Sequence, residues 1–336
     1  MKEQLAKIRA EALAAFDAGE MEDAAQILVP AVFKGRPSER CTGNGSGLLV
    51  RSPCRRISEE VTRMKLYTAK MDTASVRTVA VDDMILTKTM PTAAGSKMLD
   101  GYMSLFDAEV VTKLTAAGYA ISGKADVGEF AIDLLGETSY NGTPAVDGML
   151  VNASAEIVKS GEVTAVVGMD VNGSVRRAAA LNGLVSVKPT YGTVSRYGTI
   201  PVACSGETVS VMAKTVDDCR EVLGAITGHD DKDGTSLSEE LCAKVAADAE
   251  PIRRVAVVTS LTAGVDAATA AKLEAAKNVL TANGVEVCEV SEETLAAARI
   301  AWNILMSAEL CNNVSRYDGV KYGYRTQNFT NIDELY

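Results

Sequence analysis

The sequence predicts an α/β fold, in which strands and helices alternate along the chain and pack in layers. From Ser75 onward, β-rich runs alternate with amphipathic helical runs, which is the pattern of such a fold. The chain has 336 residues, enough for one large domain or two ordinary ones with a sizeable core. Its composition, 47% hydrophobic and 23% charged, is that of a folded protein rather than a disordered one.

Two segments precede the alternating region. Residues 1–34 carry apolar residues at helical spacing on either side of Gly19, which predicts a helical hairpin. Residues 35–60 are rich in glycine, serine, proline and arginine without any period, and we interpret them as a linker or exposed loop. Residues 61–336 then form the predicted α/β domain.

The strands and helices of this domain are predicted from periodicity. Runs of apolar and β-branched residues predict strands, and apolar residues every three or four positions predict helices. Asn283-Gly284 is a typical signal for the end of a helix. Strands are predicted within 76–86, 119–125, 162–170, 183–190, 253–261 and 285–290, and helices within 108–118, 215–226 and 266–284.

Composition also argues against several classes of function. The formal net charge of −10 argues against direct binding of nucleic acid by a basic face. A single histidine, His229, cannot supply a histidine-rich metal site, and the seven cysteines contain no C-x-x-C. No apolar stretch reaches the roughly 18–20 residues that span a bilayer. We therefore expect a cytoplasmic protein with no membrane contact, no metal and no cofactor.

Several long motifs resemble those of the amidase-signature family. They are VAVDDMI, GSVRRAAALNGLVSVKPTYGTVSRYG, GHDDKDGTS and SRYDGVKYGYR. Within that family, the chain is most similar to the A subunits of aspartyl/glutamyl-tRNA amidotransferases. The resemblance implies a mixed β-sheet flanked by helices. It also implies a truncated fold, because the family's C-terminal part would lie beyond Tyr336.

The resemblance implies three catalytic positions, of which one keeps its residue. Members of the family hydrolyse amides with a serine nucleophile, a second serine in a cis peptide and a buried lysine. The nucleophile corresponds to Ser174. The lysine position is occupied by Asp82, and the position of the second serine by Leu150. The resemblance therefore implies a broken triad.

The turn before Ser174 differs from the family as well. The family's oxyanion turn, T-G-G, corresponds to Val171, Asn172 and Gly173, which puts a β-branched side chain where the turn prefers glycine. Asp170 and Arg176 on either side agree with the family pattern. They indicate either a retained site or a turn that the fold itself requires.

Two hypotheses follow for the function. The first is a catalytically inactive scaffold that binds a protein partner, either another component of an amidotransferase or a second copy of the chain. The alternative is an active amidohydrolase, or a component of a glutamine-dependent amidotransferase, that uses Ser174 with a rearranged base.

Other candidate groups have simpler structural interpretations. Residues 229–240 place acidic residues at several calcium-loop positions, but we interpret them as a solvated acidic turn. Cys204 is expected to be structural, and Lys88 lies too far along the chain from Asp82 to replace the lysine. The tyrosines of SRYDGVKYGYR predict either a part-buried aromatic strip or an interface.

Overall fold

The computed structural model describes residues 66–335, except 74, 76, 147–148, 248–250 and 293. The predicted N-terminal hairpin and linker lie outside the described residues. The described residues divide into two units, the larger within 66–242 and 306–335 and the smaller within 243–305.

Strands in the described part are short, from two to six residues. In chain order they are β1 (Tyr67–Lys70), β2 (Thr78–Asp82), β3 (Ala120–Ala125), β4 (Ala145–Val146), β5 (Met149–Leu150), β6 (Ala165–Asp170), β7 (Val185–Val187), β8 (Thr208–Ala213), β9 (Arg254–Val258) and β10 (Glu286–Val290).

The helices vary more in length, from single turns to more than five turns. In chain order they are α1 (Glu109–Ala116), α2 (Ala153–Ser160), α3 (Ser174–Leu181), α4 (Val216–Ile226), α5 (Glu239–Ala247), α6 (Thr259–Thr262), α7 (Ala267–Ala282), α8 (Thr294–Val314) and α9 (Ile332–Leu335). Two 3₁₀ turns, Lys97–Leu99 and Glu129–Ala131, lie in the connections.

A six-stranded mixed sheet forms the centre of the larger unit. Its strand order is β1-β3-β2-β6-β8-β7. Strand β2 runs parallel to both β3 and β6, whereas β1, β7 and β8 pair with their neighbours in antiparallel fashion. All residues of β2 and β6 are buried, as expected for strands covered on both faces.

Helices cover both faces of this sheet. Alternate residues of β2 point to opposite faces, so Val79 and Val81 belong to one core and Ala80 to the other. The first core also takes residues from α1 and α4, and the second takes residues from α2 and α3. The sheet is therefore the middle layer of three.

The smaller unit contains the parallel pair β9 and β10, joined through α7. Asp266 caps the start of α7 by accepting hydrogen bonds from the backbone N–H groups of Ala268 and Thr269. At the other end, Gly284 follows the C-cap Asn283 with a φ of +77°. This is the predicted helix end.

The predicted fold class is confirmed, since the described chain has a mixed sheet flanked by helices. Each predicted strand and helix of the alternating region corresponds to an observed element. The sequence patterns did not predict four of the described strands (β1, β4, β5 and β8) or six of the described helices (α2, α3, α5, α6, α8 and α9). No helix in the described part is long and apolar enough to cross a membrane.

Candidate functional site

The candidate site lies where two neighbouring parallel strands end. Strands β2 and β6 pair in parallel, so their carboxyl ends meet at the same edge of the sheet. Asp82 is the last residue of β2 and Asp170 is the last residue of β6. Ser174 begins α3, one short turn after Asp170. The topology thus places the predicted nucleophile and the predicted lysine position at one edge.

The turn between β6 and α3 is held by the Asp170 carboxylate. Gly173 has a φ of +92°, a conformation that favours glycine. Its N–H donates to Asp170 Oδ1 at 2.8 Å, and the Arg176 N–H donates to Asp170 Oδ2 at 3.1 Å. Asp170 therefore satisfies N–H groups of the turn and of the first turn of α3.

The Arg176 side chain completes this arrangement. Its Nε lies 3.1 Å from Asp170 Oδ2 and its Nη2 lies 2.9 Å from Asp170 Oδ1, a two-point ion pair. Asp170 is fully buried. Hydrogen bonding to this carboxylate raises the pKa of the Arg176 guanidinium. Asp170 and Arg176 thus have a structural role in holding the turn.

The Asp82 carboxylate joins the ends of β2 and β6. Its Oδ2 accepts a hydrogen bond from the Met169 N–H at 2.6 Å, and its Oδ1 accepts one from the Met84 N–H at 3.0 Å. A Cβ atom on Gly168 would lie 2.8 Å from Asp82 Oδ2, so this close approach requires glycine. Burial raises the pKa of Asp82 to about 6, although the two backbone hydrogen bonds oppose the shift.

Asp82 and Ser174 line the same small cavity. Its volume is about 40 Å³, and Ser154 and Asp126 also contribute to its wall. This is room for a few water-sized groups. Among the described residues, no lysine, arginine or histidine lines it.

Asp126 adds a second buried carboxylate to this wall. Its Oδ1 accepts hydrogen bonds from the Ser139 hydroxyl at 2.9 Å and the Asn141 amide at 3.3 Å. Its other oxygen has no hydrogen-bond partner among the described residues. Burial raises the pKa of Asp126 to about 6.

Leu150 lies in a different place. It ends the short hairpin of β4 and β5, its side chain is 37% exposed, and it is not part of the wall around Ser174. It borders a second groove of about 230 Å³, whose wall shares Leu134 and Asn152 with the cavity of Ser174. The structure therefore brings Ser174 and Asp82 together and leaves Leu150 outside their cavity.

The turn residues Val171 and Asn172 lie between Asp170 and Gly173, with Val171 partly buried and Asn172 exposed. The Ser174 hydroxyl has no hydrogen bond to any described side chain, carboxylates and amines included. A serine nucleophile is activated by a base within hydrogen-bond reach. In this arrangement the described residues supply none.

One buried cation was not singled out from the sequence. Lys124, in β3, is fully buried and donates to the Ile85 carbonyl and the Thr92 hydroxyl. Its Nζ also lies 3.4 Å from Asp83 Oδ1. Burial lowers the pKa of Lys124 and raises that of Asp83, while their mutual attraction opposes both shifts. The available signal was a lysine inside the strand AISGKA.

Neither Lys124 nor Lys88 reaches the cavity. Lys124 is absent from its wall, and the Lys88 ammonium lies 3.3 Å from a carboxylate oxygen of Asp107. Cys204 is a partly buried free thiol whose pKa is raised by burial. It therefore lacks the lowered pKa of an activated cysteine.

The acidic turn at 229–240 is hydrogen-bonded to the loop at residues 195 and 196 of the same chain. Asp230 accepts a hydrogen bond from the Ser195 hydroxyl, and Asp233 accepts one from the Arg196 N–H. His229 lies 2.9 Å from both the Leu237 carbonyl and an Asp231 carboxylate oxygen. In the described part of the chain, no group of three acidic, histidine or cysteine side chains could hold a metal ion.

Comparison with known proteins adds a family and several relatives. A family model described as amidase matches residues 78–336. The A subunit of the glutamyl-tRNA(Gln) amidotransferase of Lacticaseibacillus casei is 37% identical over 268 residues, which cover 77% of this chain and 55% of the relative. The corresponding protein of Coxiella burnetii is 35% identical over 268 residues, which cover 77% of this chain and 56% of that relative. The chain thus spans about half the length of these curated relatives.

Solved structures show the same fold. The crystal structure of the A subunit of glutamyl-tRNA(Gln) amidotransferase from Thermotoga maritima superposes with a TM-score of 0.64 and 28% identity, covering 75% of this chain and 59% of that one. An allophanate hydrolase of Kluyveromyces lactis superposes with a TM-score of 0.60 and 26% identity, covering 72% of this chain and 40% of that one.

Proposed function

The chain belongs to the amidase family, and we propose that it is a member without amide hydrolase activity that acts as a scaffold for a protein partner. The cavity beside Ser174 carries this proposal. Among the described residues its wall includes no basic side chain, and it includes Asp82, the residue that the sequence resemblance aligns with the family's lysine.

Asp82 is a poor replacement for a lysine base. Its two oxygens accept hydrogen bonds from the backbone N–H groups of Met84 and Met169. These bonds hold the carboxylate in a fixed position. A negative charge beside Ser174 would also repel the oxyanion that forms when a hydroxyl attacks an amide. Loss of triad members lowers turnover by about 10⁴–10⁶ in serine hydrolases, and the losses are not additive.

The residues that agree with the family are explained without catalysis. Asp170 satisfies the N–H groups of Gly173 and Arg176, and the Arg176 side chain pairs with the same carboxylate. These contacts keep the start of α3 in place whether or not Ser174 reacts. Their presence therefore supports retention of the fold, and it does not argue for activity.

The proposed partner is another component of an amidotransferase or a second copy of this chain. The relatives are named as the A subunit of an amidotransferase, and that name implies a larger enzyme with further subunits. With a net charge of −10, we propose that the chain makes no direct contact with nucleic acid. Size-exclusion chromatography with light scattering tests the proposed partner. It is run on the chain alone and on the chain mixed with the other amidotransferase subunits of its organism.

The second candidate function is an active hydrolase or a component of a glutamine-dependent amidotransferase that uses Ser174 with a carboxylate base. One observation favours it, namely that Asp82 and Ser174 line one cavity. With its pKa raised to about 6, Asp82 would be mostly ionised at about pH 7.5 and could accept a proton.

Labelling with a fluorophosphonate, read by intact mass, separates the two candidates. The wild-type chain, Ser174→Ala and Ser154→Ala are treated in parallel, since Ser154 is a second serine on the same cavity. Chymotrypsin confirms that the reagent is active. A glutaminase assay on the same samples measures ammonia release.

We expect no adduct on the folded wild-type chain and no glutaminase activity above that of Ser174→Ala. A stoichiometric adduct that is lost in Ser174→Ala and kept in Ser154→Ala would show an activated Ser174. That result would overturn the proposed loss of catalysis and establish the second candidate.

A further inference from the structure

We propose that a basic aromatic strip on the larger unit docks an acidic segment of a protein partner. The strip comprises Lys97, Tyr140, Arg316, Tyr322, Tyr324 and Arg325. The inference rests on the proposed function, because it names the surface and the chemistry of the partner that the scaffold would bind.

Three parts of the larger unit meet to form the strip. The Tyr324 N–H donates to the Met98 carbonyl at 3.1 Å, which joins the chain near 324 to the 3₁₀ turn at 97–99. The Lys97 ammonium then lies 3.8 Å from the centre of the Tyr324 ring and 5.9 Å from that of Tyr140. Lys97 is thus placed between two aromatic rings.

Two ring contacts and a close backbone approach hold the chain around residues 317–324 in place. Tyr317 stacks on Phe130 at 4.8 Å between ring centres, and Tyr322 meets the Tyr317 ring edge-on at 6.0 Å. Gly323 has a φ of +81°, and a Cβ there would lie 2.0 Å from the Met98 carbonyl oxygen. The close approach of this segment to residue 98 therefore requires glycine.

The tyrosines of the strip remain open to solvent. Tyr140 and Tyr322 are each 48% exposed and Tyr324 is 44% exposed. Tyrosine and arginine are enriched in the centres of protein interfaces, where a rigid ring supplies area and its hydroxyl supplies a hydrogen bond.

The cations of the strip lack carboxylate partners among the described residues. Arg316 donates to the carbonyl and side-chain oxygens of Asn313, and Arg325 lies 4.9 Å from the centre of the Phe329 ring. Lys97 lies against the two tyrosine rings. By contrast, exposed cations elsewhere on this unit, such as Lys70 and Arg220, pair with nearby carboxylates.

The local charge is opposite to that of the whole chain. Residues 316–325 contain three cations and one carboxylate, Asp318, which lies 3.7 Å from Lys321. On the facing turns Asp100 and Glu129 are exposed, and Glu129 accepts a hydrogen bond from the Ser96 hydroxyl. The chain as a whole carries a charge of −10.

This combination fits an acidic protein segment better than a nucleic acid. Carboxylates can approach Lys97, Arg316 and Arg325 one at a time and form charge-assisted hydrogen bonds, while apolar side chains pack on the rings. A nucleic acid carries phosphates well beyond the strip, where the acidic remainder of the chain would repel them.

Fluorescence anisotropy with a fluorescein-labelled peptide of alternating glutamate and leucine tests the inference. Its glutamine-leucine counterpart and a single-stranded RNA of equal charge are measured beside it. The protein variants are Lys97→Glu/Arg325→Glu, which reverses two charges of the strip, and Arg253→Glu/Lys272→Glu. The control pair makes the same charge change at exposed positions of the smaller unit.

We expect the acidic peptide to bind and the glutamine peptide to bind at least about 10-fold more weakly, with affinity falling as salt rises. The strip variant should weaken binding by about 10-fold or more, and the control variant by less than about 2-fold. Equal losses in both variants, no binding of the acidic peptide, or preferential binding of the RNA would each overturn the inference. Because Ser174 labelling is measured separately, a failure here is distinguishable from a failure of the proposed loss of catalysis.

Discussion

The ends of β6 and β2, near Ser174, differ in what their carboxylates do. At the end of β6, Asp170 is used entirely by its own turn and by the Arg176 side chain. At the end of β2, Asp82 reaches across to the neighbouring strand and accepts the Met169 N–H. The sequence resemblance predicts that Asp170 agrees with the family pattern and that Asp82 departs from it.

The comparison teaches that a shared pattern around a nucleophile can be maintained by the fold alone. Asp170 and Arg176 hold the start of α3 in place. Removing either residue would therefore destabilise the fold whether or not Ser174 reacts. Asp82 instead joins two strands, at the position that the resemblance assigns to the family's lysine. Four predictions sharpen this contrast, beginning with the buried cation next to Asp83.

Lys124→Met should have the largest effect, because it leaves the buried Asp83 without its cation. The ammonium lies 3.4 Å from Asp83 Oδ1 and both side chains are fully buried. Removing one partner of a buried pair typically costs about 3–5 kcal/mol of unfolding free energy. Urea denaturation followed by circular dichroism measures the loss.

The double variant Lys124→Met/Asp83→Asn is the matched control for this effect. Its asparagine keeps an oxygen for the Ala93 N–H, which now donates to Asp83 Oδ2 at 3.1 Å. We expect the double variant to recover more than half of the lost stability. If it is no more stable than Lys124→Met, the unpaired charge is not the cause.

Asp170→Ala should have the next largest effect, about 3 kcal/mol, because it leaves the N–H groups of Gly173 and Arg176 without their acceptor. The control is Asp217→Ala, which removes the 88%-exposed partner of Arg220 and should cost less than about 0.5 kcal/mol. Guanidinium denaturation of both variants checks the difference. Equal losses would mean that the turn does not depend on Asp170.

Asp82 should make the stability of the protein depend on pH. Burial raises its pKa in the folded state to about 6, above its value in the unfolded chain. The folded state therefore binds the proton more tightly, and stability falls as pH rises from about 4 to about 6. Asp82→Asn cannot titrate, so it should gain up to about 3 kcal/mol relative to wild type between about pH 4 and about pH 7.

Urea denaturation of wild type and Asp82→Asn at several pH values measures this relative gain. The comparison with wild type removes the contribution of all other titrating groups. Asp217→Asn, at an exposed position, serves as the control and should follow the wild-type curve. A constant difference between Asp82→Asn and wild type across this range would contradict the raised pKa of Asp82.

Leu150→Ser should have the smallest effect, although it places serine where the sequence resemblance predicts the family's second catalytic serine. Leu150 is 37% exposed and lies outside the cavity of Ser174 and Asp82. We expect a loss of less than about 1 kcal/mol and no fluorophosphonate adduct on Ser174. An adduct that appears in this variant would show that position 150 still reaches the nucleophile.

Much of the fold could be predicted from local pattern. The helix that ends at Asn283-Gly284 is an example, because its cap signal and its periodicity agree. Strand β8 was missed although all its residues are buried and it pairs with both β6 and β7. Its first four residues, TVSV, alternate polar and apolar side chains, but Met212 and Ala213 end the alternation, so the periodic run is short.

The candidate site was predicted only in part for a similar reason. Ser174, Asp82 and Leu150 were assigned from motif positions, which give order along the chain but not distance. Parallel pairing of β2 with β6 brings the first two to one edge. The hairpin of β4 and β5 carries Leu150 elsewhere.

By itself, the sequence determined the α/β class and the family resemblance, because these depend on local periodicity and on residue types at fixed spacing. Only the tertiary structure decided which of the predicted site residues share a cavity and which cation stands beside Asp83. Such contacts join strands far apart in the chain, and burial then raises the pKa values of Asp82 and Asp83 and lowers that of Lys124.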